Sequence, residues 1–318
     1  MLVLDKPYSR VTEIPKIESL AAELEISKSD LLYISSNIEK FYKPGKLLHK
    51  KNGDPRLTHD AKPRLKRIHE LIKNKLLKRA YYPRYMQGGI ADSANPRNCS
   101  THAAIHSGKV ILISEDIADF YPSTTTKVVH SIWQGFFKFP PVIAELLTKL
   151  TTYQGYLPQG WKTSGYLANL AFWKHEALLV QNLQSKGYSY SRYMDDISVS
   201  SSRQIPKKEK TEIVKLIYRM LLQSSFRPKR TKHEIKSASE QMTVTGLLVN
   251  ARQPKLPKSE RRLIRASLHK LAARASTELK TDEYLKSWRS LSGKIARLRK
   301  YHPAEGIALR QKLNLIKP

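Results

Sequence analysis

Residues 188–201 read YSYSRYMDDISVSS and decide the fold of this chain. Strand-forming residues lie on both sides of Asp195-Asp196, so the segment predicts a β-hairpin with this acidic pair at its turn. An Asp-Asp pair in a turn is, taken alone, usually only a solvated turn. Whether this pair has a function therefore depends on which other residues the fold brings close to it.

A second acidic residue follows a short apolar strand, which we predict over residues 109–114 and which leads into Glu115 and Asp116. Neighbouring strands lie about 4.8 Å apart, so their carboxylates can surround shared ions. Phosphoryl transfer uses two divalent metals about 4 Å apart, and Mg²⁺ takes hard oxygen ligands from few carboxylates. We therefore expect Asp116, Asp195 and Asp196 to hold two Mg²⁺ ions.

Periodicity along the rest of the chain predicts an α+β fold without a clear linker between independent domains. Ser27 and Asp30 fit a capping box between two short amphipathic helices. Helices are predicted within 12–40 and over 63–78, 126–151, 163–186, 207–224 and beyond Pro257, a basic hairpin over 41–64, a loop over 80–100 and a strand over 241–249.

The net charge of the chain is the strongest compositional signal. Lys and Arg number 57 against 27 Asp and Glu, which gives a formal charge of +30. Each phosphate that such a protein neutralises releases condensed counterions, so nucleic acid is the favoured partner. A merely soluble basic protein remains the plain alternative. An anionic membrane surface is a weaker candidate for the partner, because no basic amphipathic helix stands apart from the rest of the sequence.

Other features exclude several classes of protein. Apolar runs such as Val110–Ile113 are too short to cross a bilayer. Asp5 and Lys6 stand where a signal peptide would carry its apolar segment. The single cysteine, Cys99, excludes an internal disulfide framework and a multi-cysteine zinc site. We therefore expect a cytoplasmic protein with no membrane association.

Three motifs, in order and at matching spacing across roughly residues 46–250, resemble those of the reverse transcriptases. They are Asp116-Ile117-Ala118-Asp119-Phe120-Tyr121-Pro122-Ser123, then Leu157-Pro158-Gln159-Gly160-Trp161-Lys162-Thr163-Ser164-Gly165-Tyr166-Leu167-Ala168-Asn169, then Tyr193-Met194-Asp195-Asp196. The resemblance implies a right-hand polymerase fold with fingers, a palm of antiparallel sheet plus helices, and a helical thumb. It divides the chain into an N-terminal helical extension (1–40), interleaved fingers and palm (41–252) and thumb (253–318).

The same resemblance implies roles at the incoming nucleotide. Tyr121, five positions beyond the first aspartate, would stack under the sugar and exclude a 2′-hydroxyl, so that the enzyme selects dNTPs; a packed core tyrosine is the alternative. Gln159 and Gly160 would lie along the nucleotide and template, where glycine permits close backbone approach. Arg56, on the basic hairpin beside Lys50 and Lys51, would pair with the triphosphate.

A lysine late in the family pattern protonates the leaving pyrophosphate. The pattern there is Asn-x-x-Lys-Thr, and this chain reads Lys229-Arg230-Thr231-Lys232-His233. Lys232 is the counterpart of that lysine, while Lys229 and His233 depart from the pattern. A plain phosphate contact by Lys232 remains the alternative to its role as a general acid.

Two further elements resemble the bacterial retron enzymes. Val244-Thr245-Gly246 matches a triplet that contacts structured RNA in that group, although an ordinary strand end is the alternative. The segment from His102 to His106 resembles an Asn-Ala-x-x-His element whose Asn is replaced here, and we assign His106 to RNA binding. The histidine pair is discounted as a metal site, since no third ligand is evident.

Related classes of reverse transcriptase fit less well. Group II intron enzymes carry further regions for which 318 residues leave little room. Diversity-generating enzymes usually depart from the Leu-Pro-Gln-Gly sequence that this chain keeps at 157–160. Trp161, Lys162 and Gly165 differ from the usual motif and weaken the subgroup assignment more than the catalytic one.

The retron resemblance implies an RNA-directed DNA polymerase with one cognate structured non-coding RNA as template and primer. DNA synthesis would start from a guanosine 2′-hydroxyl, consume dNTPs and leave a branched or hybrid RNA–DNA product in anti-phage defence, with a separate effector protein. Dispersed basic helices over 255–318 suit binding to an A-form duplex. The alternatives are another defence-associated reverse transcriptase and a non-catalytic RNA-binding scaffold, against which the intact acidic triad argues.

Overall fold

The predicted hairpin forms the middle of a five-stranded sheet in the computed structural model of the chain. The structure describes residues 4–49, 55–56, 58–279 and 281–318, and for His49 and Arg56 it describes the backbone only. The strands are β1 Tyr8–Ser9, β2 Tyr42–Pro44, β3 Leu48–His49, β4 Pro55–Arg56, β5 His59–Ala61, β6 Ala80–Tyr81, β7 Met86–Gln87, β8 Ile111–Asp116, β9 Ser189–Tyr193, β10 Asp196–Ser201, β11 Glu234–Ser237, β12 Thr243–Val244 and β13 Leu247–Leu248.

Helices cover both flanks of this sheet and make up the C-terminal part of the chain. They are α1 Ile17–Leu24, α2 Lys28–Ser36, α3 Ile38–Phe41, α4 Pro63–Lys75, α5 Cys99–Ile105, α6 Phe120–Ser123, α7 Thr126–Ser131, α8 Pro141–Thr151, α9 Ser164–Asn169, α10 Glu176–Ser185, α11 Lys207–Gln223, α12 Lys258–Glu278, α13 Asp282–Tyr301 and α14 Pro303–Asn314. Short 3₁₀ turns occupy Leu77–Arg79, Leu170–Phe172 and Arg230–Lys232, and a π turn occupies Ile132–Phe136. Within the described part of the chain, no helix is both long and apolar enough to span a bilayer.

The central sheet has the strand order β11-β8-β10-β9-β7. β8, β9, β10 and β11 pair antiparallel, while β7 lies parallel to β9. The prediction of a hairpin with acidic residues at its turn is confirmed, since Tyr193 pairs with Asp196 across the two-residue loop Met194-Asp195. Met194 adopts a left-handed backbone conformation with φ of 58°, as such tight loops require.

Two hydrophobic cores stabilise the chain. The larger joins the central sheet to the N-terminal helices, so that Leu20 of α1 and Leu31 of α2 are completely buried with Ile113 of β8. Ser27 caps α2 by accepting a hydrogen bond from the Asp30 amide at 3.1 Å, as its sequence predicts. The smaller core joins the β12–β13 hairpin to α12, α13 and α14.

Two long predicted helices are interrupted in the structure. The helix predicted over 126–151 ends with the π turn at Phe136, and Pro140, whose backbone is extended, precedes a new helix that begins at Pro141. The helix predicted over 163–186 breaks after Asn169, whose carbonyl oxygen accepts a hydrogen bond from Arg192 at 3.0 Å. The chain continues from there as the 3₁₀ turn Leu170–Phe172 before α10 begins at Glu176.

Two shorter segments also differ from their predictions. The strand predicted over 241–249 is instead the tight hairpin β12–β13. Thr245 and Gly246 form its turn with φ of 47° and 77°, the left-handed geometry that such a turn needs at both positions. The loop predicted over 80–100 contains β7, whose Gln87 pairs with Tyr193 at the edge of the sheet.

Three buried histidines make stability depend on pH. Burial lowers the pKa of His69 to about 4 and of His102 to about 3, and it places the pKa of His106 well below the ordinary 6.5. The folded chain keeps these rings neutral, whereas the unfolded chain protonates them near pH 6.5. Their contribution to stability is therefore complete above pH 6.5 and decreases as the pH falls below it.

We predict that each of these histidines contributes a fall of up to about 1.4 kcal/mol per pH unit to the free energy of unfolding between pH 6.5 and 4.5, measured by urea denaturation. His69→Gln keeps a donor for the Leu150 carbonyl oxygen, which lies 2.8 Å from Nε2, but cannot titrate. The plot of the free energy of unfolding against pH should be less steep for this variant, by the contribution of one histidine. An unchanged slope in a folded His69→Gln protein would contradict the assignment.

Candidate active site

The pairing of β8 with β10 brings the predicted acidic residues together. Asp116 is the last residue of β8 and lies directly opposite Asp196, the first residue of β10. Directly opposed residues of an antiparallel pair have Cβ atoms about 4.5–5.5 Å apart. The Ile117 amide donates to the Asp195 carbonyl oxygen at 3.0 Å, which places the third aspartate at the same end of the sheet. The structure therefore gathers all three aspartates at one site.

A buried ion pair holds the backbone of the Met194-Asp195 turn. Arg192 and Glu176 are both completely buried, and the guanidinium contacts the two carboxylate oxygens at 2.6 and 2.8 Å. The same guanidinium donates to the Met194 carbonyl oxygen at 3.0 Å. Tyr190 donates its hydroxyl to Glu176 at 2.8 Å. Because buried charges need such complete pairing, this network fixes the backbone immediately before Asp195.

The loop after β7 supports the other side of the turn. The Met194 amide donates to the Gln87 carbonyl oxygen at 3.3 Å. Gly88 has φ of 73°, and a Cβ built on it would lie 2.8 Å from Cζ of the Tyr193 ring. Only glycine fits both the conformation and this close approach. The ring of Tyr193 is therefore seated directly against backbone.

The electrostatics of the site reflect three crowded carboxylates. Although part of Asp196 is exposed, loss of water around its carboxyl group and the charges of Asp195 and Asp116 raise its pKa to about 7. Lys232 donates its ammonium group to Oδ2 of Asp116. Partial burial opposes the charged form of Lys232, but this hydrogen bond and the neighbouring aspartates outweigh it and raise the pKa of the lysine.

The residues at this site suit divalent cations. All the donors are carboxylate oxygens, the ligand type that Mg²⁺ and similar hard ions prefer. Loss of water and the charges of Asp195 and Asp116 raise the pKa of Asp196 even with Lys232 in place, so an added cation would favour its charged form. Among the described residues, no three metal-ligating side chains already surround a common point, so the carboxylates would have to close around an ion.

A buried network beside Lys232 was not predicted from the sequence. Glu115 is 2% exposed, and burial raises its pKa. Nδ1 of His233 lies 2.6 Å from Oε1 of Glu115, and Tyr218 donates its hydroxyl to Oε2 at 3.2 Å. This network anchors the chain next to Lys232. The signal available in the sequence was an acidic residue inside an apolar strand, which requires a buried partner.

The predicted nucleotide-binding residues lie in two places, on α6 just beyond Asp116 and beside strand β5. Tyr121 is partly exposed on α6 beyond Asp116. The Gln159 carbonyl oxygen accepts from the His59 amide at 2.8 Å. Gly160 has φ of 116°, and a Cβ there would lie 2.5 Å from the His59 carbonyl oxygen, so its close approach is to strand β5.

Part of the basic hairpin falls outside the description. Arg56 belongs to β4 by its backbone, but its side chain lies outside the described part of the chain. Lys50 and Lys51 also lie outside the described residues. The predicted contact of Arg56 with a triphosphate therefore remains a prediction.

Two of the predicted RNA contacts need correction. His106 is completely buried, and its two ring nitrogens hydrogen-bond the hydroxyl groups of Ser200 and Ser191 at 2.7 and 2.6 Å. Val244 is 2% exposed and packs in the smaller core. Neither side chain reaches the surface, because both complete the interior. Thr245 is partly exposed and Gly246 is exposed at the hairpin turn, so only these two remain accessible to RNA.

Comparison with known proteins agrees with this geometry. The family model described as reverse transcriptase (RNA-dependent DNA polymerase) matches residues 48–249. The chain belongs to the reverse transcriptase family and is a bacterial retron reverse transcriptase, an RNA-directed DNA polymerase with the right-hand polymerase fold.

Three relatives support the retron assignment. The retron Se72 reverse transcriptase of Salmonella heidelberg (strain 579083-10) is 34% identical, over 99% of this chain and 83% of that protein. The retron Ec48 reverse transcriptase of Escherichia coli is 27% identical, over 98% and 79% respectively. The retron Ec86 reverse transcriptase of Escherichia coli is 26% identical, over 59% and 57%.

We predict that Glu176→Ala lowers the free energy of unfolding by about 3–5 kcal/mol, because Arg192 would keep a buried charge without its partner. Denaturation in urea measures the change. Glu212→Ala is a suitable control, since it removes an exposed partner of Lys215 and should leave the midpoint unchanged. A Glu176→Ala protein as stable as this control would contradict the role of the ion pair.

Proposed function

We propose that this chain is the polymerase of a retron and copies a structured non-coding RNA into DNA at Asp116, Asp195 and Asp196 with two Mg²⁺ ions. The observation that carries the proposal is the register that sets Asp116 opposite Asp196. It occurs in a chain whose similarity to retron enzymes extends over nearly its full length.

The residues of the site have separate roles in this proposal. Bound Mg²⁺ would stabilise the attacking and leaving oxygens of the phosphoryl transfer. Asp116 and Asp195 would hold both ions, and Asp196 would complete the acidic cluster. Lys232, whose raised pKa keeps it protonated, would move from Asp116 to donate a proton to the leaving pyrophosphate. This is a task for a charged and partly exposed ammonium group.

Substrate selection involves residues outside the acidic cluster. Tyr121 would lie against the sugar of the incoming dNTP and exclude a 2′-hydroxyl. Gln159 and Gly160, which the His59 backbone holds in position, would lie along the nucleotide and the template. Arg56 would pair with the triphosphate.

The larger divisions of the chain follow the same proposal. Residues 1–40 form the N-terminal extension, 41–252 the fingers and palm, and 253–318 the thumb. A groove of about 420 Å³ between α12 and α13 is lined by Lys270, Lys286 and Lys294. Positive charge at a helical groove suits the backbone of an RNA–DNA or RNA duplex, which supports the assignment of the thumb.

The RNA partner would be both template and primer. The exposed turn at Thr245-Gly246 would contact the cognate structured RNA, and synthesis would start from a guanosine 2′-hydroxyl. The branched or hybrid RNA–DNA product would serve anti-phage defence in the cytoplasm together with a separate effector protein. The high positive charge of the chain supports a long-lived complex with nucleic acid.

We predict that Asp195→Asn and Asp196→Asn each lower dNTP incorporation in Mg²⁺ by roughly a thousandfold, or about 4 kcal/mol of transition-state stabilisation. RNA binding in a filter assay should stay close to that of the unsubstituted chain, because neither change touches the basic helices. Glu212→Gln is the control for a lost surface carboxylate. Full incorporation by both variants would refute the metal-binding site and favour a non-catalytic RNA-binding scaffold.

A second prediction concerns priming. When the chain is expressed with the RNA encoded beside its gene, the purified complex should contain DNA covalently joined to RNA by a 2′,5′ linkage. Sequencing after ribonuclease treatment, which leaves the branch nucleotide on the DNA, measures this. The Asp195→Asn complex should contain the RNA alone. DNA without any RNA linkage would refute the retron mode of priming and favour another defence-associated reverse transcriptase.

A further inference from the structure

Helix α5 occupies the boundary between the two hydrophobic cores. Its N-terminus is capped by Asn98, whose side chain accepts from the Ser100 and Thr101 amides at 2.9 and 3.2 Å. Ala103, in the middle of the helix, is completely buried in the smaller core. The same short helix also faces β9 and β10, which carry residues 193–196. We call these residues the catalytic turn, in line with the proposed function.

His102 of α5 packs on the catalytic turn through its ring. The ring stacks on Tyr193 with centroids 5.5 Å apart and an interplanar angle of 27°. His102 is completely buried, and within the described residues neither of its ring nitrogens has a hydrogen-bond partner. Such a group costs free energy in the interior, so hydrogen bonding does not explain the residue. The stacking of its flat ring on Tyr193 is what accounts for a histidine at this position.

Thr101 of α5 and His106, the residue that follows the helix, attach it to three strands of the sheet. His106 joins Ser191 of β9 to Ser200 of β10. Thr101 donates its hydroxyl to the Gln87 side-chain oxygen of β7 at 2.9 Å. The helix is therefore fixed to both strands of the catalytic hairpin and to the strand beside them.

The opposite end of this contact chain reaches the exposed turn of the β12–β13 hairpin. Thr245 donates its hydroxyl to the Cys99 carbonyl oxygen at 3.1 Å. The Cys99 sulfur lies 3.7 Å from the Tyr193 hydroxyl oxygen. Thr245 keeps a left-handed conformation with φ of 47°, which is uncommon for a residue other than glycine and needs support from its surroundings.

We propose that helix α5 is a positioning element that holds Tyr193 through His102 and connects the catalytic turn to the Thr245-Gly246 turn through Cys99. Contact at the exposed turn and the placement of the aspartates then depend on each other. The inference rests on the proposed function, because it assigns that turn to RNA and the aspartates to nucleotide transfer. It adds His102, Cys99 and Thr245 as residues that act through Tyr193 and not on the substrate.

The first test compares two apolar residues of similar size at position 102. His102→Phe keeps a flat ring on Tyr193 and removes two buried unpartnered nitrogens, so it should keep kcat within roughly twofold and raise the melting temperature. His102→Leu fills the space without a ring and should lower kcat roughly three- to tenfold, as misplacement of a catalytic group does. KM for dNTP should change less than kcat. Both are measured with poly(rA) template and oligo(dT) primer.

The second test changes the turn of the β12–β13 hairpin. Thr245→Val replaces the hydroxyl group that donates to the Cys99 carbonyl oxygen by a methyl group, and Thr243→Val makes the same change two residues earlier in the hairpin. On poly(rA)·oligo(dT), which lacks the structured RNA, Thr245→Val should lower kcat roughly two- to fivefold, whereas Thr243→Val should not.

Equal kcat in folded His102→Phe and His102→Leu, or unchanged kcat in Thr245→Val, would overturn the proposal. Should His102→Leu fail to fold, the Thr245→Val arm decides alone. If the unsubstituted chain incorporated no dNTP, the proposed function itself would be refuted. Failure of the proposed function and failure of the positioning role of α5 are therefore distinguishable.

Discussion

The buried ion pair of Arg192 and Glu176 is the interaction on which the turn at Met194-Asp195 depends. Two charges removed completely from water must satisfy each other and their remaining hydrogen-bonding groups, or the fold loses several kcal/mol. Arg192 therefore binds both oxygens of Glu176 and two backbone carbonyl groups, those of Met194 and Asn169. One of these bonds holds the turn and the other contacts the last residue of α9, so a single side chain connects the two elements.

The acidic cluster above this pair is under electrostatic stress. Three carboxylates lie at the end of two paired strands, where Lys232 donates its ammonium group to Asp116. Burial, together with the charges of Asp195 and Asp116, raises the pKa of Asp196. One ammonium group does not balance the charge of three carboxylates. A site with this arrangement gains free energy from added divalent cations, which is consistent with the use of such ions in the reverse transcriptase family.

Local pattern predicted most of the elements that carry the site, and long-range contacts account for most of what it missed. The alternation around Asp195-Asp196 and the apolar run before Asp116 are local. The hairpin formed as predicted, and the strand predicted over 109–114 formed over Ile111–Asp116. The Asn169 carbonyl oxygen at the end of α9 contacts Arg192, more than 20 residues away, and the left-handed Thr245 contacts Cys99, 146 residues away. His106 and Val244 were assigned to RNA by resemblance alone, and only the packing shows that both are interior. The partnership of Glu115 with His233 likewise joins two segments that no periodicity relates.

The position of α5 gives a physical reason for one of these long-range contacts, that of Thr245 with Cys99. Folding buries apolar surface in two separate cores, one around the sheet and one around the C-terminal helices. A chain with a formal charge of +30 repels itself, and nucleic acid bound on the basic helices would relieve that repulsion. Contacts that join the two cores connect those helices to the turn formed by residues 193–196. Leu112 of β8 packs in the smaller core between Ile111 and Ile113, which pack in the larger one. Ala103 of α5 packs in the smaller core while His102, its neighbour in sequence, stacks on Tyr193, so α5 provides a second such path beside β8.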